Sequence, residues 1–570
     1  MTAPCRNICA QTTLLMSLAL IVAGCGRSGS AESDTPTAPP GALPWFEECA
    51  ASRGLTFVHV SGHHNRYLMP EIMCGGAALF DMDNDGDLDA YLVQGGAVIP
   101  GDESTAPGNM LFANNGDGTF TNVTDGSGAG DAGYGMGVTV GDYDNDGDPD
   151  LYITNLGANV LLRNEGQGVF VDVTRNAGVG HSGWGASAAF LDYDGDGDLD
   201  LFVANYLNWS LSTEIECYND AGGLDYCNPA NYNAPAADVL YRNDGHGTFT
   251  DVTKAAGLLE AFGTGLGVIC ADFNLDGYID IFVANDGMPD QLWINQGDGT
   301  FRDEALLMGC AVDMTGAAKA GMGVAVADLD DDADPDLLVV NLRNETDSFF
   351  RNEGSYFLDR TAEIGLANTS RPFTRFGLGF FDFDNDGWLD LYQANGRVQQ
   401  LTELYANDPF AEPNLLYRGT ANGRLKEILL RGGTSALLVA TSRGAAFGDI
   451  DNDGQVDVLI VNRDAGVHLL RNTVSDAGHW IGFRLVNKHG SDAVGAVVRL
   501  SVGNRTITRE VRIASSYFSA NDPRVHCGIG QSTSIDTISV RWPDGTTEDF
   551  GPHDADQYTT LVKGTGSLAQ

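Results

Sequence analysis

The sequence predicts an all-β protein: a seven-bladed β-propeller followed by a small C-terminal β-rich domain. Three observations carry that expectation. Seven nine-residue windows of the form D-x-[DN]-x-D-G-x-x-D, with small departures, begin at Asp81, Asp142, Asp192, Asp272, Asp328, Asp382 and Asp449. Their spacing of 50 to 80 residues is that of one supersecondary unit per repeat. Short apolar runs flank every window, and 73 glycines in 570 residues favour turns over long helices. A hydrophobic share of 43% is enough for a large core and excludes general disorder.

Taken in order, residues 1–24 read as an export signal. Arg6 is the only charge before Leu14, and the apolar run Leu14 to Val22 is too short to span a bilayer. The run ends in Val22-Ala23-Gly24-Cys25, which resembles the lipobox of bacterial lipoproteins and implies lipidation of Cys25. Residues 25–44 are rich in Ser, Gly, Pro and Thr and read as a flexible tether. The expected location is therefore the cell envelope, lipid-anchored at a bacterial outer membrane or cell surface.

Residues 45–477 carry the repeats. Each window is followed by alternating apolar residues that read as a strand, such as Leu151-Tyr152-Ile153 and Leu201-Phe202-Val203. A second signature then appears, as in LLRNEGQGVF from Leu161 and LYRNDGHGTF from Leu240: strand, Gly-rich hairpin, strand. The unit is thus about four strands. The last unit lacks its final piece, and a degenerate copy stands alone at Phe46-Glu47-Glu48-Cys49-Ala50. This N-terminal strand is expected to complete the final blade and close the ring.

The 80-residue spacing reflects an insertion at 207–235, expected to project from one face. Cys217 and Cys227 within it are expected to form a disulfide, which export permits. Cys49–Cys74 and Cys270–Cys310 are weaker candidate pairs. Cys527 leaves the count odd and reads as a small buried residue. Residues 478–565 form the C-terminal domain.

Charge identifies the chemistry. The chain has 78 acidic and 32 basic residues, a net charge of −46 that argues against nucleic acid as a partner. The seven windows hold 32 of those acids and no Lys or Arg, leaving only −14 elsewhere. Positions 1, 3, 5 and 9 of each window can aim carboxylates inward, position 7 can offer a backbone carbonyl, and Gly at position 6 permits the positive φ of a chain wrapping an ion.

The candidate ligands are Asp81, Asp83, Asp85, Asp87 and Asp89; Asp142, Asp144, Asp146, Asp148 and Asp150; and Asp192, Asp194, Asp196, Asp198 and Asp200. They continue with Asp272, Asn274, Asp276, Tyr278 and Asp280, then Asp328, Asp330, Asp332, Asp334 and Asp336. The last two loops supply Asp382, Asp384, Asp386, Trp388 and Asp390, and Asp449, Asp451, Asp453, Gln455 and Asp457. Dense hard oxygen donors without His or Cys select Ca²⁺ over zinc or copper, up to seven ions in all. The loops at Asp272, with Asn274 at position 3, and at Asp328, with Ala333 in place of Gly, are expected to bind most weakly.

These loops and hairpins resemble FG-GAP/VCBS repeats, the unit of integrin α-type propellers. The resemblance implies that every loop joins two strands of one blade, all on one face. The C-terminal stretch resembles the ASPIC/UnbV module through Gly495-Ala496-Val497-Val498-Arg499-Leu500, Val525-His526-Cys527-Gly528-Ile529-Gly530 and Val540-Arg541-Trp542-Pro543-Asp544-Gly545. The family's usual H-F-G-L-G stands here as H-C-G-I-G. The order of parts is similar to the cartilage-acidic-protein-like group.

No P-loop, G-x-S-x-G elbow or H-E-x-x-H is present in the sequence. His63 and His64 read as surface or turn residues, and His526 as packing or hydrogen-bonded. The sequence is therefore read as a non-enzymatic, calcium-binding protein used for recognition or adhesion of an extracellular protein or glycan. Two alternatives stand beside it: an extracellular enzyme or enzyme subunit acting on a polysaccharide at the funnel or under the insertion, and a calcium-dependent carbohydrate-binding propeller using Trp209, Tyr218, Tyr226 and Tyr232 as stacking faces.

Overall fold

A computed structural model of the protein describes residues 43–99, 108–401 and 404–568. The expected signal segment, Cys25 and the tether as far as residue 42 lie outside the described residues. Within them, each Asp-rich loop joins the first two strands of a four-stranded antiparallel unit, seven times over. In the first unit the strands are Ala77–Phe80, Asp89–Leu92, Met110–Asn114 and Phe120–Asn122. The later units open on Gly135–Gly141, Ser182–Leu191, Gly265–Ala271, Val324–Ala327, Arg375–Phe381 and Ser442–Gly448. These opening strands neighbour one another in chain order, and the last packs against the first. The fold is a β-propeller, and the units are called blades 1 to 7.

Second strands such as Asp200–Asn205 are buried along their whole length, because neighbouring blades cover both faces. In six blades the fourth strand is three residues long with Phe inward, and in blade 6 it is the two-residue Lys426–Glu427, so the outer edge is short. Blade 7 takes its fourth strand from the N-terminus: Phe46–Glu48 pairs antiparallel with His468–Asn472, with Phe46 opposite Asn472.

The Asn of the hairpin signature has a structural task. The Asn164 side-chain amide donates to Pro149 O in its own blade (3.1 Å) and to Met82 O in the preceding one (2.7 Å). Asn114, Asn243, Asn295, Asn352 and Asn472 make the same pair of bonds. Blade 6 has Gly419 at this place, which keeps the backbone N–H bond to Asp390 that the Asn of every other blade makes to its own Asp, but has no side-chain amide. Each such Asn satisfies two buried carbonyls and fixes one blade against the next.

The C-terminal module is built from a three-stranded and a five-stranded sheet, with a two-stranded ribbon, over one apolar core that includes Phe483, Val498 and Trp542. His479–Val486 pairs antiparallel with Val525–Gly530 and parallel with Tyr558–Val562. A hairpin from this module, Ala514–Ser515 and Ser519–Ala520, enters the propeller axis, where Ala520 pairs in parallel with Ala78 of blade 1. Ser516 exchanges two backbone hydrogen bonds with Val324 of blade 5, and Phe518 O accepts from Val138 N of blade 2. Tyr517 and Phe518 are buried in the central apolar cluster, and the Tyr517 hydroxyl donates to Met73 O at 2.9 Å. Ser516 (φ 75°) and Phe518 (φ 57°) occupy the left-handed region, a cost borne where contacts fix the backbone on several sides.

The far end of the axis is closed by the insertion, which folds back rather than projecting freely. Tyr226 is 2% exposed, and its ring packs on Tyr67 and Phe410. Cys217 and Cys227 form a disulfide with a Cα–Cα distance of 5.2 Å. The weaker pairings do not form: Cys49, Cys74, Cys270, Cys310 and Cys527 are free thiols. The reason is placement. Cys49 and Cys74 sit in different core clusters, as do Cys270 and Cys310.

Candidate metal centre

Each loop is wound by its own carboxylates. At position 1, Asp81 accepts the backbone N–H groups of Asp85 and Gly86, both at 3.0 Å. Asp142, Asp272, Asp328, Asp382 and Asp449 do the same at positions 5 and 6. Asp192 differs in accepting from Gly195 and Gly197. At position 5, Asp85, Asp146, Asp196, Asp276, Asp332, Asp386 and Asp453 each accept the N–H of position 7.

Position 9 anchors the loop to the blade. Asp89 is buried and accepts from Met82 N and Asn114 N, both at 2.8 Å. Asp150, Asp200, Asp280, Asp336, Asp390 and Asp457 repeat this pair.

The carboxylates converge. Ligand atoms of Asp81, Asp83 and Asp85 lie within 4.8 Å of one another, as do those of Asp142, Asp144 and Asp146 and of Asp328, Asp330 and Asp332. In two other loops the trio is Asp192, Asp194 and Asp200, or Asp382, Asp384 and Asp390. Positions 1 and 3 thus face a common centre, joined by position 5 in three of these loops and by position 9 in the other two. At position 7, Asp87, Asp148 and Asp198 accept from Asn452, Asn84 and Asn145 of the preceding blade.

Those asparagines were missed as functional positions in the sequence. They stand at position 4 with φ of 55° to 61°, so the loop needs the left-handed region at position 4 as well as position 6. Leu275 and Asp331 hold this conformation in the loops at Asp272 and Asp328, where Ala333 also adopts φ 73°. In the loop at Asp272, the Asn274 amide donates to Asp276 at 2.9 Å, which reduces the charge facing the centre. A recurring Asn at position 4 was visible in the windows, but its reach to the next loop was not.

One oxygen of position 3 separates these loops from ordinary Asx turns. The Oδ1 atoms of Asp83, Asp144, Asp384 and Asp451 are buried with no hydrogen-bond donor. Arg418 and Arg471 pair with Asp384 and Asp451 at 2.7 Å, but through the other oxygen. Burial raises every position-9 carboxyl, Asp89, Asp200, Asp280 and Asp336 to about 8, and lifts Asp150, Asp390 and Asp457, with Asp382 at position 1, well above the carboxylate range. At position 1, burial lifts Asp81, Asp192 and Asp328 to about 6 and Asp449 to about 7. Crowded carboxylates that resist ionisation, with lone pairs aimed at a shared centre, suit a hard divalent cation.

The insertion aromatics do not form a stacking platform. Tyr226 is buried, Trp209 and Tyr232 both donate to Glu214, and Tyr218 is the exposed one of the four. His63 is not a bare turn residue: its Nδ1 lies 2.6 Å from buried Glu71 and 3.1 Å from the Tyr226 hydroxyl, which also accepts from Arg463. Its partners are distant in sequence, so no local signal marked it.

The sequence matches the FG-GAP-like repeat over residues 81–153, 145–203, 226–283, 272–339 and 328–392, just over half of the chain. It matches ASPIC and UnbV over residues 486–568. The chain belongs to the FG-GAP-repeat family. It is similar to Cartilage acidic protein 1 of Mus musculus, at 25% identity over 310 residues, covering 52% of this chain and 44% of the relative. The Homo sapiens protein of that name is 26% identical over 310 residues, covering 52% and 43%. The FG-GAP chain thus spans less than half the length of these curated relatives. Among solved structures it is similar to YCF48 bound to a D1 peptide (10% identity, TM-score 0.39, 73% of this chain and 100% of that one). It is also similar to an Agrocybe aegerita lectin recognising non-reducing terminal N-acetylglucosamine (16% identity, TM-score 0.35, 69% and 86%). Among the described residues, no helix is long and apolar enough to cross a membrane.

Proposed function

We propose that this FG-GAP protein is a calcium-binding recognition or adhesion protein of the cell surface, non-enzymatic, with its propeller held in shape by up to seven Ca²⁺ ions. The observation that carries the calcium reading is the set of buried, donor-free position-3 oxygens of Asp83, Asp144, Asp384 and Asp451, each beside further carboxylates. An apolar site would not place carboxylate oxygens there, and a solvated turn would not bury them. The residues that would hold each ion are those of positions 1, 3, 5 and 9. A bound Ca²⁺ supplies a hard positive centre that permits these carboxylates to ionise together.

The recognition reading rests on the same rigidity. With the axis filled from both ends, the exposed surfaces left for a partner are the outer loops and blade edges. The N-terminal reading adds the location: an exported chain anchored through Cys25, holding the propeller away from the envelope on its tether. The test combines calorimetric titration of metal-free protein with a glycan and surface-protein array run with calcium and with chelator. Heat approaching seven ions per chain, with calcium-dependent capture of an extracellular protein or glycan, is the expected result. No calcium heat would overturn the metal reading, and turnover of a polymer substrate would overturn the non-enzymatic one.

A further inference from the structure

The C-terminal module meets the propeller in two physically different ways. Its hairpin bonds the inner strands of blades 1, 2 and 5, deep on the axis. Its rim bonds main-chain carbonyls in the loops of blades 6 and 7, partly through the stretch that carries the H-C-G-I-G signature, while Arg484, Ser491 and Arg505 reach side chains in the loops of blades 1, 2 and 5. Gly530 N donates to Asn385 O at 3.0 Å, and Gly478 N to Asp384 O at 2.9 Å. His526 Nε2 donates to Gly454 O at 3.0 Å, and Arg505 to Gly387 O at 2.8 Å. These acceptors are main-chain carbonyls at positions 3, 4 and 6 of the Asp-rich loops. Their directions exist only while the loop is wound.

The fit is also steric. A Cβ on Gly528 would stand 2.0 Å from Asp382 Oδ2, and one on Gly454 would stand 1.8 Å from the Trp480 ring. The module therefore packs directly on a position-1 carboxylate and on the blade 7 loop, with no room for a side chain at either glycine. Asp384 and Asp451 in these same two loops carry donor-free buried oxygens, so both loops hold an acceptor that a cation would satisfy.

We propose that the module's rim, around His526-Cys527-Gly528-Ile529-Gly530, is a surface that recognises the calcium-wound shape of the blade 6 and blade 7 loops. The ions there clamp the rim, while the axial hairpin stays seated without them. The inference rests on the calcium reading of the loops. It goes beyond that reading by giving the sites of blades 6 and 7, whose loop carbonyls the rim reads, an interdomain role.

Hydrogen exchange read by mass spectrometry on the full chain, metal-free and calcium-loaded, tests it. Removing calcium is expected to speed exchange by about tenfold or more in residues 478–482 and 525–530, and to leave 514–520 protected. Equal exchange in both states of a chain whose calcium binding is seen by calorimetry would overturn the clamp, as would equal loss of protection in the hairpin. A chain showing no calcium heat at all would remove the underlying metal reading, and the clamp with it. Gly528→Ala gives a second arm: with calcium present, its 525–530 segment is expected to exchange as fast as in the metal-free parent, with calcium heat retained by the other loops. Parent-like protection in that variant overturns the proposal.

Discussion

Removing calcium should make the propeller least stable at alkaline pH, an inversion of the usual behaviour of carboxylates. Most native carboxylates are paired and have depressed values, so they stabilise as pH rises. Here burial lifts Asp89, Asp200, Asp280 and Asp336 from 3.8 to about 8 in the absence of a cation. Below the unfolded value both states are protonated and nothing is lost. Between about 4 and 8 the folded chain binds more protons than the unfolded one, so unfolding free energy falls as pH rises. At 1.36 kcal/mol per unit, the full loss is on the order of 5 kcal/mol per loop by about pH 8. Several such loops approach the whole stability of a domain, roughly 5–15 kcal/mol. The assay is a thermal melt of metal-free protein, with and without added calcium, at about pH 5 and about pH 8. The metal-free Tm is expected to fall by at least about 10 °C across that window, and the gain on adding calcium to grow with pH. A metal-free Tm that holds or rises toward pH 8, or a calcium gain equal at both pH values, would refute the burial argument.

Two further outcomes test single residues. Ala333→Gly removes a Cβ from a φ of 73° and is expected to stabilise by about 1 kcal/mol in denaturant unfolding, with tighter calcium binding at the Asp328 loop; destabilisation would contradict the strain assigned there. Asn164→Ala deprives Met82 O and Pro149 O of their donor and is expected to cost about 2–3 kcal/mol, whereas a loss within experimental error would show that the hairpin Asn does not staple the blades.

The sequence by itself determined the repeat, the ring closure and the donor pattern, because each is local or periodic. A nine-residue window fixes which carboxylates share a turn, since Asp81 bonds the amides of Asp85 and Gly86 only four and five residues on. The lone copy at Phe46–Glu48 announced its pairing because a four-stranded unit lacked one strand. Tertiary structure decided what depends on partners far along the chain. The Asn of the hairpin signature earns its place by bonding a carbonyl in the preceding blade, as Asn164 does to Met82, 82 residues away. Tyr226 and Tyr517 are both aromatic residues in loops, yet both are buried at the axis, where the closed ring leaves a core to fill. Cys49 and Cys74 remain thiols because the ring puts them in separate cores. The seven loops began as a charge pattern. Only the folded ring shows that those of blades 6 and 7 also present main-chain carbonyls to the C-terminal module, because loop carbonyls become a binding surface only when the chain has been wound and brought beside its own distant end.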